Sequence, residues 1–157
     1  MKSKSWHISL VACSILTLEL ALIRLIPAEV RVISYFTNLV LMATFFGLGL
    51  GCILHVRFNL SWTIPTGLFL ITVFVFFARG LVIYDEASSV HFWLQYRHAA
   101  RPIPIIVAAL TTFTVSAFPF IGLGQLLILT MDKYPRLVAY GWDIFGSLLG
   151  TALFSIG

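Results

Sequence analysis

From Ile33 to Leu54 the chain carries no charged residue, and four further stretches of similar length carry two or fewer. Runs of this kind constrain the fold more than any motif does. A helix needs ~20 apolar residues to cross a bilayer. In lipid, moreover, each backbone polar group must be satisfied inside the protein, which favours helices. The five runs lie near 6–26, 33–55, 62–83, 103–131 and 137–157. They predict an all-α integral membrane protein, a bundle of about five transmembrane helices forming one domain over residues 1–157, with no soluble catalytic domain.

Composition agrees. Of the 157 residues, 60% are hydrophobic and 10% charged, and the mean hydropathy is +1.01. Soluble domains carry about 25% charged residues, so a chain this poor in charge could not cover a surface in water. The net charge of +4 is scattered, which leaves no basic face for a nucleic acid. Cys13 and Cys52 fall in apolar runs without the spacing of a metal or redox pair and read as small apolar residues. Although the N-terminus has the basic tip of a secretory signal, its apolar run continues to Ile26 with no small-residue cleavage box at its end, so it reads as a retained first helix.

Polar punctuation separates the runs. Pro27 is expected to close the first helix. His55, Arg57 and Asn59 part the second from the third, and Pro65 falls in the third's first turn, where proline is tolerated. Pro119, Gly122 and Gly124 interrupt the long fourth stretch and predict a kink or tilt. The segment 132–136 is a short polar turn. The fifth stretch ends without a closing signal, which reads as a piece of something longer. Within 84–102, Val90, Trp93, Leu94 and Arg97 recur at helical spacing, compatible with an amphipathic helix on the membrane surface or a plain connector; His91 and His98 could share a face but lack further metal ligands.

With the N-terminus in the cytoplasm, Lys2, Lys4, Arg57, Lys133 and Arg136 collect on the inner side. Arg31, Arg97 and Arg101 lie outside, with Arg24 and Arg79 near helix ends. The basic bias favours this orientation, in a bacterial inner membrane.

The stretch Phe45–Leu54, FFGLGLGCIL, has a superficial likeness to a phosphate-binding turn. A dinucleotide fingerprint needs G-x-G-x-x-G between a strand and a helix with an acid ~20 residues on. Gly47, Gly49 and Gly51 do not continue that spacing, and no acid follows before Asp85. The membrane reading fits instead: Gly47 and Gly51, four apart, make a face where another helix can approach closely. Ala139, Asp143, Gly146 and Gly150 form a similar face in the fifth run, and the two faces are expected to pack on each other.

Glu19, Arg24, Asn38, Gln125 and Asp143 lie in or near the runs, where a charge costs ~2.5–3.5 kcal/mol on insertion scales. A rise of ~1.5 Å per residue puts Glu19 level with Asn38 and Gln125 level with Asp143. These two layers read either as interhelical glue or as a path for a substrate or proton lined by Glu19 and Asp143. Glue is the simpler reading.

Glu19 and Arg24 in TLELALIRL, the segment Gly47-Leu48-Gly49-Leu50-Gly51, and the helix from Ala139-Tyr140 to Gly150 together resemble the membrane module of the membrane-bound spermidine synthase-like proteins. Leu18 and Leu22 stand where that family often has Tyr and Trp. The resemblance implies a module that anchors or supplies a Rossmann-like aminopropyltransferase domain, which binds decarboxylated S-adenosylmethionine and takes part in polyamine biosynthesis. No part of that domain is present here, so no catalytic or cofactor-binding residue carries over, and no cofactor or metal is expected. The expected partners are the bilayer, a C-terminal or separate soluble domain, and other membrane helices or further copies of the chain. The competing reading is a stand-alone integral membrane subunit or small transporter-like protein without enzymatic activity.

Overall fold

The computed structural model describes residues 5–29, 37–78 and 105–156. Five helices account for nearly all of them: α1 (Trp6–Glu29), α2 (Thr37–Leu54), α3 (Thr63–Ala78), α4 (Ile105–Met131) and α5 (Arg136–Ile156). No strand occurs among the described residues. α1, α4 and α5 are long and apolar enough to cross a membrane, with mean hydropathies of 2.0, 1.9 and 1.4 over their spanning portions. The described parts of α2 and α3 are shorter apolar helices. The segment 84–102, with its surface-helix reading and its histidines, lies outside the described residues.

α4 and α5 begin and end within two residues of the expected runs, the expected start of the second run and end of the third lie outside the described residues, and the end of the first needs a correction. Pro27 does not close the first helix; it lies inside α1, which runs on to Glu29. The cost is one amide missing from the ladder, the one that would have bonded the Ile23 carbonyl. α4 likewise continues through Pro119 as one helix of 27 residues, ~40 Å long at the standard rise.

The packing is inverted relative to a protein in water. Phe69, Phe76, Phe77 and Leu137 are 68%, 72%, 69% and 88% exposed, whereas Thr44, Thr112 and Ser116 are fully buried. A hydrocarbon solvent exerts no force to bury phenylalanine. Helices there associate through close backbone approach and interhelical hydrogen bonds, both of which favour small and hydroxylated residues inside. A compact apolar cluster of Ile15, Leu22, Val40, Ile71, Phe120 and Leu123 fills the centre between α1, α2, α3 and α4.

Glycines fix the helix directions. Gly47 lies against Ala117 and Phe120, and Gly51, one turn later, against Ile121 and Gln125. Contacts that advance together in both helices make α2 and α4 parallel. Gly146 meets Ser9 and Gly150 meets Cys13, so α1 and α5 are parallel as well. Gly67 faces Pro119 while Gly122 faces Thr63, which sets α3 antiparallel to α4. α2 and α4 thus run together with α3 against them, and α1 and α5 run together.

The expected pairing of α2 with α5 is corrected. The Gly47/Gly51 face receives α4, and the Gly146/Gly150 face receives α1. Spacing identifies a flat face but not the helix opposite it. α4 brings its own small residues, Ala117, Gly124 and Ser116, and so offers α2 a closer fit. α5 is left to pack on the Ser9–Cys13–Thr17 face of α1.

Candidate functional site

Polar side chains inside the bundle are the groups capable of chemistry, and Glu19 is the most buried of the charged ones, at 4% exposure. It sits ~20 Å along α1 at 1.5 Å per residue, deep in any bilayer the helix crosses. Its partner is Thr44 of α2, whose hydroxyl donates to Glu19 Oε1 at 2.9 Å. The same hydroxyl lies 2.8 Å from the carbonyl of Leu41, one turn back. One hydroxyl hydrogen cannot serve both oxygens. If it goes to Leu41, the contact with Glu19 is a hydrogen bond only when the carboxyl carries the proton and donates. The site is thus a short relay, carboxyl to hydroxyl to backbone carbonyl, that accommodates the acid in either form.

Asn38, expected in the same layer as Glu19, is exposed at the start of α2. Thr44, which the depth argument passed over, takes its place because it projects from the buried face that also carries Val40, Ala43 and Gly47. A threonine at the depth of an intramembrane acid was the available signal.

Gln125 is also only 4% exposed, and it does not meet Asp143. Its amide turns instead to the connection between α2 and α3. Nε2 donates to the carbonyl of Phe58 at 2.5 Å, and Oε1 accepts from the amide of Leu60 at 2.6 Å. A tight turn at the end of a membrane helix leaves backbone groups with no intrahelical partner, and one side-chain amide here satisfies a donor and an acceptor together. The glutamine is an internal brace. His55 supports the same turn through Nδ1, 2.5 Å from the Cys52 carbonyl, and at the start of α3 the Thr63 hydroxyl donates to the Leu60 carbonyl at 2.7 Å.

Asp143 is half-buried on the α5 face that holds Ala139 and Gly146. Because Gly146 meets Ser9, Asp143 falls close to the beginning of α1, far along the bundle from Glu19. The two acids that a path would need are separated, Asp143 beside the start of α1 and Glu19 near its middle.

Arg24 is exposed on the outside of α1, five residues beyond Glu19, and lines a groove with α5 rather than pairing with that acid. Ser116 stands apart in another way. Hydroxyls at Ser14, Thr72, Thr111, Thr112, Thr114, Thr130, Thr151 and Ser155 all donate to a carbonyl one turn back. The Ser116 hydroxyl is fully buried and has no partner. It lies within the turn that Pro119 disturbs, where the carbonyl of Val115 has no amide to receive.

Among the described residues no three His, Cys, Asp or Glu side chains come together in a way that could hold a metal ion. No family model, curated protein or solved structure matches the chain.

Proposed function

We propose that this chain is the five-span membrane module of a spermidine synthase-like membrane protein, seated in a bacterial inner membrane with its N-terminus in the cytoplasm, and that it anchors a soluble aminopropyltransferase-like domain. The kinship rests on the motifs at Glu19–Arg24, Gly47–Gly51 and Ala139–Gly150. One observation supports anchor over path: Glu19 and Gln125, the most deeply buried polar groups with charge or an amide, are each engaged by the protein itself. A path needs polar groups free to exchange partners. These hold Thr44 and the backbone of the α2–α3 turn.

Calorimetric titration of spermidine or putrescine into the detergent-solubilised module tests this reading. The expected result is a flat titration and no aminopropyl transfer. Saturable binding that Glu19→Gln or Asp143→Asn abolishes would replace the anchor with a cationic-substrate site. Orientation is checked separately by cysteine accessibility, which should place 56–61 and 84–102 on opposite sides of the membrane.

A further inference from the structure

Along its outer flank α1 diverges from α5 to leave a groove of about 580 Å³, lined by Thr17, Ala21, Arg24 and Leu25 from α1 and by Leu153 and Phe154 from α5. Among the described residues, every one that lines it but two is apolar, and none is a carboxylate. We propose that this groove is a binding site for one anionic phospholipid, with an acyl chain between α1 and α5 and the phosphate on the Arg24 guanidinium. The inference rests on α1 crossing the membrane, as in the reading above, and goes beyond it in naming a ligand.

Three features converge on this occupant. The first is depth. Trp6 begins α1, and Arg24 lies eighteen residues on, ~27 Å at the standard rise. A hydrocarbon core is ~30 Å thick, so with the tryptophan at one interface the guanidinium reaches the other, where lipid phosphates lie. The second is shape. From Arg24 to Thr17 the groove descends along the helix axis from the interface into the leaflet, with the small side chain of Ala21 between them, which suits an extended chain. The third is charge. A guanidinium offers a fork of donors matched to phosphate oxygens, and the groove supplies no acid to compete. Soluble anions match the charge but not the apolar walls. A transmembrane helix from another copy would match the walls but its apolar face would give the arginine no counter-charge.

Native mass spectrometry of the full chain released from mixed micelles measures the occupant directly, with phosphatidylglycerol and phosphatidylcholine as probes. Retention of a single phosphatidylglycerol, favoured over phosphatidylcholine by about fivefold, is expected from an interfacial arginine worth ~1 kcal/mol towards anionic lipid. Arg24→Gln should bring the ratio near one, while Arg24→Lys keeps most of it. Ala21→Phe, which blocks the groove and spares the charge, should reduce retention of both lipids. Equal retention of the two lipids by the native chain would overturn the proposal. So would a preference untouched by both Arg24→Gln and Ala21→Phe, or a dimer peak in place of a lipid adduct. If Arg24→Gln fails to fold, Ala21→Phe alone decides between these outcomes. Failure of α1 to cross the membrane would show separately, as single cysteines at its two ends labelled from the same side.

Discussion

Two parallel helix pairs in this bundle are built on glycines, and they are built differently. In the α2–α4 pair both helices contribute: Gly47 and Gly51 receive the backbone of α4, and Gly124 receives the backbone of α2 at Leu48. The Cys52 thiol adds a 3.6 Å contact to the Gly124 carbonyl, and Gln125 ties the far end to the α2–α3 turn. In the α1–α5 pair the glycines lie on α5 alone, against Ser9, Cys13 and Thr17. The fit also loosens along the helix. A Cβ on Gly146 would come within 2.7 Å of the Ser9 Cα, whereas one on Gly150 would stay 3.3 Å from the Cys13 Cα. Reciprocal glycines interlock, while glycines on one side only let a helix rest on its neighbour. The inner seam is a joint and the outer one a contact, which agrees with α5 being the least buried of the three long helices.

The largest effect should come from Gly51→Leu. Its first carbon would already be 2.9 Å from the Gln125 amide nitrogen and in collision with the Ile121 carbonyl, and both are backbone. Separating α2 from α4 should cost about 3 kcal/mol, the upper part of the usual range for overpacking, read as a lowered unfolding midpoint in detergent. Stability unchanged by this substitution would dissolve the distinction between the two seams. Gln125→Leu comes next, since it leaves the Phe58 carbonyl and Leu60 amide without their partner. We expect a loss of about 1–2 kcal/mol and faster proteolysis within 55–62, with the α1–α5 contact intact.

Gly150→Ala probes the looser pair and should cost no more than ~1 kcal/mol. A loss equal to that of Gly51→Ala would make the pairs equivalent. Thr44→Val removes the hydroxyl that Glu19 meets. Interhelical hydrogen bonds in membranes average ~0.6 kcal/mol, so a shift of that order is expected in the same unfolding assay. Gly49→Ala is the internal control: nothing lies within 4 Å of its added carbon. The loss of backbone freedom in the unfolded chain should leave stability unchanged or raise it by about 0.5 kcal/mol.

The helices were legible in the sequence as long apolar runs with two charges or fewer, and α4 and α5 begin and end within two residues of where those runs do. The glycine faces were legible too, since four-residue spacing fixes which side of a helix is flat. Their partners were not. Gly47 and Gly146 carry the same local pattern, and only the packing of all five helices decides that one meets Ala117 and the other Ser9. Glu19 announced itself by its charge, whereas Thr44, a common residue in apolar helices, did not. Gln125 was visible as a polar group at depth, yet its target is backbone, and backbone partners leave no trace in residue identity. The same holds for the solitary hydroxyl of Ser116, which depends on how the turn before Pro119 settles.

The brace at Gln125 also imposes an order on synthesis. The turn it holds leaves the ribosome 65 to 67 residues ahead of the glutamine, a delay of about 3–13 s at ordinary rates of translation. For that interval α2 and α3 are a hairpin whose turn has no internal partner for the Phe58 carbonyl or the Leu60 amide, and only the arrival of α4 completes it. A nascent chain arrested before Gln125 should expose the turn to protease, and one arrested after α4 has entered the membrane should protect it. The inner part of the bundle is thus completed by its last helix to be made, α4, before α5 comes to rest on α1.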